Sequence, residues 1–203
     1  MFLIGIAGGS GSGKTTFAKK IVKQVSSPDL IHIHQDSFYL SPLPKELYVK
    51  EKPNFDHPNS FDWKLLRHQL LELKAGQMVA IPNYDFLISS RTTEVEKVGP
   101  AKVCMIDGIY ALWDAEIRAM MDLKIFLHVD ADIRFIRRLH RDVKERGRSL
   151  DSIISQYYDT VRPMHRQYLE STRQFADLVV GEETDIPSEI ISSKIRSILA
   201  SQT

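Results

Sequence analysis

The chain has 203 residues, of which 43% are hydrophobic and 26% charged, and its formal net charge is +1. This composition is typical of a globular protein that buries a sizeable core. The near-neutral charge argues against nucleic acid or an anionic membrane as partner, and no apolar run in the sequence is long enough to span a bilayer. A single cysteine, Cys104, excludes an internal disulfide, and its apolar surroundings predict a buried thiol in a cytoplasmic protein.

The first predicted strand is the apolar run 2–7, and the glycine-rich segment GGSGSGKTT follows it. Residues 8–15 match G-x-x-x-x-G-K-[ST] at every fixed position, and apolar residues then recur at helical spacing. A loop between a strand and a helix can point its backbone N–H groups at a phosphate. We therefore expect Lys14 to reach the β- and γ-phosphates of a nucleotide and Thr15 to offer its hydroxyl to Mg²⁺. The alternative, a turn that binds nothing, is disfavoured by the number of matching positions.

The second predicted strand, DLIHIH, is followed directly by Asp36 in the segment QDSFY. Ligands of open α/β sheets bind beyond the carboxyl ends of the strands, so this carboxylate is placed to accept a proton from an attacking hydroxyl near the γ-phosphate. A turn or helix-capping aspartate is the alternative. His32 and His34 lie on one face of the same strand. A metal pair is one interpretation, but the sequence indicates no third ligand and a structural role is favoured.

Residues 36–100 interrupt the alternation of strands and helices. They contain an amphipathic helix in the segment FDWKLLRHQLLELKAG, ending at Gly76, and then two strand-like runs around a polar turn. Long insertions of this kind are usually functional. We predict that residues 36–100 form an acceptor-binding insertion that includes a β-hairpin.

The third strand of the main pattern, AKVCMID, ends at Asp107, the position of a magnesium-directed acid in phosphate-binding-loop proteins. A turn formed by Asp-Gly is the alternative. Further along, LKIFLHV and DLVV read as strands, while IRFIRRLHRDVKERGR, LDSIISQYYDTV up to Pro163, and PSEIISSKIRSILA read as helices. The pattern predicts an α/β fold with a mostly parallel sheet flanked by helices.

A basic cluster lies in the region 134–150, which we predict to be a lid. The cluster contains only two acids, Asp142 and Glu145. Its more numerous basic residues are Arg134, Arg137, Arg138, Arg141, Lys144, Arg146 and Arg148. Charges of one sign repel each other unless a polyanion meets them, and phosphoryl groups are a suitable partner. A solvated helix face is the alternative; nucleic acid is disfavoured because no aromatic ladder accompanies the cluster.

The motifs GGSGSGKT, QDSFY, NFDHPNSFD, IPNYDF, IDGIYAL and RDVKERGR together make the chain resemble the uridine/cytidine kinases, from Gly5 to about Val180. The resemblance implies a P-loop NTPase-type sheet with a β-hairpin insertion and an Arg-rich lid, in one domain over residues 1–203. It also implies transfer of the γ-phosphate of ATP or GTP, with Mg²⁺, to the 5′-hydroxyl of uridine or cytidine. The family's members are typically homotetramers.

The resemblance assigns roles to matching positions. The donor triphosphate is held by Gly8, Gly9, Ser10, Gly11, Ser12, Gly13, Lys14, Thr15 and Thr16. The catalytic residues are Lys14, Asp36 and Arg141, and the metal-directed residues are Thr15, Asp36 and Asp107. The nucleoside is bound by Tyr39, Phe55, Asp56, Tyr84, Phe86, Ser89, Arg134 and Arg146, of which Asp56 contacts ribose hydroxyls and the two arginines close over the sugar side.

Three positions depart from the family pattern. Asp107 stands where a glutamate is usual, Ser171 where a proline is usual, and Ser89 where a histidine usually helps to recognise the pyrimidine. The last departure leaves the preferred base open. Two other functions compete: a related kinase of another riboside or a sugar phosphate, and a nucleotide-binding switch. No N-K-x-D motif of guanine-binding switches occurs in the sequence.

Overall fold

The computed structural model describes residues 1–201, and its centre is a five-stranded parallel sheet. The strands are β1 (Phe2–Gly8), β2 (Leu30–His34), β3 (Tyr48–Val49), β4 (Lys52–Pro53), β5 (Val79–Asp85), β6 (Ser90–Val98), β7 (Val103–Asp107), β8 (Leu123–Leu127) and β9 (Leu178–Val180). The helices are α1 (Lys14–Val25), α2 (Trp63–Lys74), α3 (Ala115–Met120), α4 (Ala131–Lys144), α5 (Leu150–Gln156), α6 (Arg162–Met164) and α7 (Asp185–Ser201).

The central sheet has the order β2-β7-β1-β8-β9 and confirms the predicted mostly parallel α/β fold. Successive side chains of β1 enter two separate cores: Leu3 packs on the side of α2, and Ile4 packs on the side of α1 and α7. Both faces of the sheet are therefore covered, as parallel sheets require. Cys104 is buried within β7, as its apolar surroundings predict, and burial raises the pKa of its thiol to about 12.

The carboxyl ends of β1, β2 and β7 meet at one edge of the sheet. The register pairs His34 with Asp107 and Ile6 with Asp107 across adjacent strands. The loop after β1, the turn after β2 and the last residue of β7 therefore lie side by side. This edge carries the candidate site.

The insertion contains the predicted helix and the predicted hairpin. Helix α2 begins after Asp62, whose side chain accepts a hydrogen bond from the Leu65 N–H at 3.0 Å, and the chain reverses at Gly76, where φ is 78°. Strands β5 and β6 pair antiparallel, with an irregularity between Pro82 and Tyr84.

Two predicted helix boundaries are wrong. Helix α4 ends at Lys144, so Arg146 and Arg148 follow it in a loop and are not on its face. The second boundary is Pro163, where the helical path does not stop. It continues through π-helical turns at Tyr157–Val161 and His165–Leu169, with Pro163 in the short α6 between them. The wider turns accommodate a residue that lacks an N–H. Within residues 1–201, none of the helices has the length and apolar character needed to cross a membrane.

Candidate active site

The loop between β1 and α1 has the shape of a phosphate cradle. Its backbone has positive φ at Gly8 (148°), Gly11 (81°) and Gly13 (92°), conformations that favour glycine. A Cβ on Gly11 would collide with the backbone carbonyl of Arg134, so this position also requires the absence of a side chain. Helix α1 starts directly after the loop and directs its N-terminal partial positive charge toward it.

Lys14 lies at the floor of this loop. The residue is 9% exposed, and its Nζ donates to the Gly9 carbonyl at 3.1 Å. Burial lowers the pKa of Lys14 to about 8, against the opposing influence of the Asp107 and Asp36 carboxylates. A cation held in a poorly solvated place gains most from an anionic ligand, which is what a phosphate provides.

Asp107 forms the centre of a compact polar cluster at the ends of β2 and β7. Its Oδ2 accepts a hydrogen bond from the Thr15 hydroxyl at 2.6 Å, while its Oδ1 lies 2.8 Å from His32 Nε2 and 2.7 Å from His34 Nδ1. Burial alone would raise the pKa of Asp107, but the hydrogen bonds from the two histidines and Thr15 outweigh it and hold the pKa well below its usual range. The same contact with Asp107 raises the pKa of His34. The sequence indicates no third ligand for the histidine pair, but the strand register brings Asp107 to it.

Asp36 occupies the short 3₁₀ turn that follows β2, at the boundary between the phosphate loop and a large cavity. Burial and the Asp107 charge raise its pKa, while Lys14, Arg146 and Arg141 oppose the shift. A carboxylate with a raised pKa is a better proton acceptor than a free aspartate.

The cavity has a volume of about 400 Å³, and aromatic rings form one wall of it. The Tyr39 ring centroid lies 5.4 Å from that of Phe55 and 5.2 Å from that of Tyr84, whose own centroid is 5.3 Å from Phe86. The Arg146 guanidinium lies over the Phe86 ring, 4.2 Å from its centroid. Ser89, at the hairpin tip, also borders the cavity. The structure thus brings together the predicted acceptor residues of the insertion with Arg146.

Asp56 is connected to the phosphate loop by a chain of hydrogen bonds. Its Oδ2 accepts from the Thr160 hydroxyl at 2.7 Å and from Gln156 Nε2 at 3.3 Å. The other end of the Gln156 amide, Oε1, accepts from Arg138 at 2.9 Å, and Arg138 in turn donates to the Ser10 hydroxyl at 2.9 Å. The sequence does not indicate a role for Gln156 and Thr160, because they lie about a hundred residues from Asp56 along the chain.

Asp142 pairs with arginines of the predicted lid, a role that the sequence does not indicate. Its side chain is fully buried and bonds to Arg141 through Nε at 2.9 Å and a terminal nitrogen at 2.8 Å. It also forms ion pairs with Arg138 at 3.5 Å and with Arg146 and Arg148 at 3.4 Å each. One carboxylate therefore gathers four guanidinium groups, all of which border the cavity. Neither a cluster that needs a polyanion nor a solvated helix face includes this neutralisation of the arginines by a buried carboxylate.

Two residues of the basic cluster lie elsewhere than expected. Arg134 does not border the acceptor cavity: it packs against Gly9 and Gly11, donates to the Val129 carbonyl at 2.9 Å and borders a separate pocket, so its assignment to the sugar side is not supported. Its place near the start of α4, one turn before Arg138, brings it under the phosphate loop instead. Arg137 pairs with Glu182 at the surface, at 3.1 Å. Thr16 is exposed in the first turn of α1, directly after the loop, and its assignment to the donor triphosphate stays a prediction.

Known proteins resemble this chain over nearly its whole length. The model of the phosphoribulokinase/uridine kinase family matches residues 3–186. The uridine kinase of Lactobacillus helveticus is 45% identical over 200 residues, which cover 97% of this chain and 95% of that protein. The uridine kinase of Ligilactobacillus salivarius is 43% identical over 199 residues, covering 97% and 93%. Phosphoribulokinase from Rhodobacter spheroides superimposes with a TM-score of 0.65 at 15% identity, over 89% of this chain and 69% of that one, a likeness of fold alone.

Proposed function

The chain belongs to the phosphoribulokinase/uridine kinase family and is a phosphotransferase with an alcohol group as acceptor, and we propose that it transfers the γ-phosphate of ATP or GTP to the 5′-hydroxyl of uridine or cytidine. The proposal includes a single kinase domain, with residues 36–100 binding the acceptor and residues 134–150 acting as the lid. Assembly into a homo-oligomer in the cytoplasm and a role in pyrimidine salvage are parts of the same proposal.

One observation carries the proposal: Asp36 lies where the phosphate loop opens into the aromatic cavity. An acceptor hydroxyl positioned beside this carboxylate would have a proton acceptor on one side and the γ-phosphate on the other. Asp36 would take the proton as the hydroxyl attacks, and its raised pKa favours that step. A switch protein without an acceptor has no need for such a cavity.

The donor side is suited to a triphosphate with Mg²⁺. The Thr15 hydroxyl and the Asp107 carboxylate are the oxygen ligands that Mg²⁺ prefers, and they already lie 2.6 Å apart. When bound, Mg²⁺ would neutralise charge on the phosphate oxygens. Lys14 would bind the same group from the loop, and the arginines gathered by Asp142 would stabilise charge on the migrating phosphoryl group. Among these, Arg141 is proposed as catalytic.

The acceptor side is suited to a ribonucleoside. Asp56 borders the cavity, and Thr160 and Gln156 donate to one of its carboxylate oxygens. Its other oxygen would accept from ribose hydroxyls. The aromatic wall would stack on the base, and Arg146 over Phe86 would close the slot. Ser89 would recognise the pyrimidine edge through a bridging water, because its side chain is shorter than the usual histidine.

A coupled assay of the purified protein tests the proposal. Initial rates are measured with ATP and with GTP as donor, and with uridine, cytidine, purine ribosides and sugar phosphates as acceptors. We expect the highest kcat/KM for a pyrimidine riboside. Phosphorylation of a sugar phosphate or purine riboside in preference to both pyrimidines would identify the related-kinase alternative. Fast nucleotide hydrolysis that no acceptor accelerates would identify the switch.

A further inference from the structure

Two imidazoles share the acid of the proposed magnesium site, and the proposed reaction uses neither of them. His32 and His34 lie two residues apart on β2, so both side chains point to the same face of the sheet. Their nearest ring nitrogens and the carboxylate of Asp107 all lie within 4.8 Å of one another. Asp107 is buried, His32 is 11% exposed and His34 is 43% exposed, so the cluster has one open side.

The backbone holds these three groups in place. Strand β2 pairs directly with β7, with His34 opposite Asp107 and His32 opposite Met105. Both strands belong to the central parallel sheet, and the cluster is rigid for that reason. A ligand set on adjacent strands is better preorganised than one on loops.

The donor atoms favour a different class of metal from Mg²⁺. Two imidazole nitrogens with one carboxylate suit Zn²⁺, Co²⁺ or Ni²⁺, whereas Mg²⁺ prefers oxygen ligands and keeps its waters. The contacts of 2.7 and 2.8 Å to Asp107 Oδ1 are hydrogen bonds in which each imidazole donates an N–H. A neutral histidine can move that proton to its other ring nitrogen and offer a lone pair at the same atom. The groups that stabilise Asp107 without a metal are therefore able to coordinate one after a small rotation.

We propose that His32, His34 and Asp107 form a binding site for a transition-metal dication of the Zn²⁺ or Co²⁺ type. The protein supplies three ligands, and the exposed side next to His34 leaves the remaining coordination positions to water. Because the site shares Asp107 with the proposed magnesium site, Mg²⁺ and the transition metal compete for the same carboxylate. Metal binding is measured without nucleotide or nucleoside, so its failure would leave the proposed kinase activity untouched.

The experiment is a titration of the chelator-treated protein with Co²⁺, followed by visible absorption, and with Zn²⁺ in competition with a chromogenic chelator. The informative variants keep an amide N–H for Asp107 but remove the imidazole: His34→Asn places the amide near the position of Nδ1, and His32→Gln places it near that of Nε2. His140→Asn, which removes an exposed histidine of α4, is the matched control.

We expect one equivalent of Co²⁺ to give the absorption of an imidazole-coordinated ion in the parent and in His140→Asn. Affinity should fall more than about 100-fold in the two site variants, since loss of a second-shell partner alone costs about 10–100-fold. Absence of stoichiometric binding in the parent, or binding that survives both site substitutions, overturns the proposal. If His32→Gln does not fold, His34→Asn and the broadening of histidine ring resonances by Co²⁺ in the parent decide the question.

Discussion

Replacing Asp142 with asparagine should destabilise the lid and the protein together. The substitution keeps the shape of the side chain but removes the negative charge that four arginines share. Removing one partner of a buried ion pair typically costs about 3–5 kcal/mol. Arg141, Arg146 and Arg148 are 31%, 25% and 27% exposed, so water can partly solvate them once they are released. We therefore take the lower end, about 3 kcal/mol.

That loss is measurable by thermal unfolding followed by circular dichroism. For a protein of about 200 residues, 1 kcal/mol corresponds to about 2–4 °C in Tm, so Asp142→Asn should unfold about 6–12 °C below the parent. A non-hydrolysable nucleoside triphosphate analogue should raise the Tm of the variant more than that of the parent, because the phosphates of the analogue replace the negative charge that Asp142 no longer supplies. Misplaced arginines should also lower kcat by up to about 100-fold.

Glu145→Gln is the matched control, because Glu145 is a nearby acid of the same segment that is exposed. It should leave both Tm and kcat close to the parent values. If Asp142→Asn behaves like Glu145→Gln in both measurements, the buried carboxylate does not organise the lid and the reasoning from its ion pairs is refuted.

Three other substitutions test the site. Lys14→Met should abolish phosphoryl transfer in the coupled assay yet raise the Tm of the nucleotide-free protein at pH 7. Burial lowers the pKa of Lys14 to about 8, so its charge destabilises the folded protein below pH 8 and deprotonation removes this penalty above it. A lower Tm for Lys14→Met would contradict the burial argument. Asp36→Asn should lower kcat by about 10²–10⁴-fold with little change in nucleoside Kd measured by calorimetry, and recovery of kcat at high Mg²⁺ would make Asp36 a metal ligand instead of the base. Ser89→His should raise kcat/KM for uridine and cytidine and lower it for purine ribosides, because the longer histidine reaches the base without a bridging water. Histidine also tolerates the φ of 51° at this position better than most residues. Unchanged selectivity would mean that another residue contacts the base.

The parts of the fold that could be predicted from the sequence depend on local signals. The apolar run 2–7 before GGSGSGKTT specifies β1 and the phosphate loop, and Asp62 and Gly76 mark the two ends of α2. The hairpin also follows from local alternation and turn residues. In each of these cases a few neighbouring residues determine the conformation.

The parts that could not be predicted depend on contacts between distant segments. The pairing of His34 with Asp107 follows from the order β2-β7-β1, which no local pattern encodes. Helical periodicity alone predicts that α4 includes Arg148. In the structure α4 ends at Lys144, and the chain turns at Gly147, where φ is 61°. Arg134 was assigned by resemblance to the sugar side, but a helix face cannot be oriented from sequence until its packing against Gly11 is known.

We expect the hydrogen-bond chain from Asp56 through Gln156 and Arg138 to Ser10 to make the proposed donor and acceptor sites thermodynamically dependent on each other. A ligand bound to Asp56 would restrain the Gln156 amide. A ligand bound to Ser10 would restrain Arg138, which donates to the oxygen of the same amide. The ligand that binds first would restrict the remaining motion of these side chains, and the second ligand would then bind more tightly. Linkage requires the effect to be mutual: the factor by which the acceptor improves donor affinity equals the factor by which the donor improves acceptor affinity.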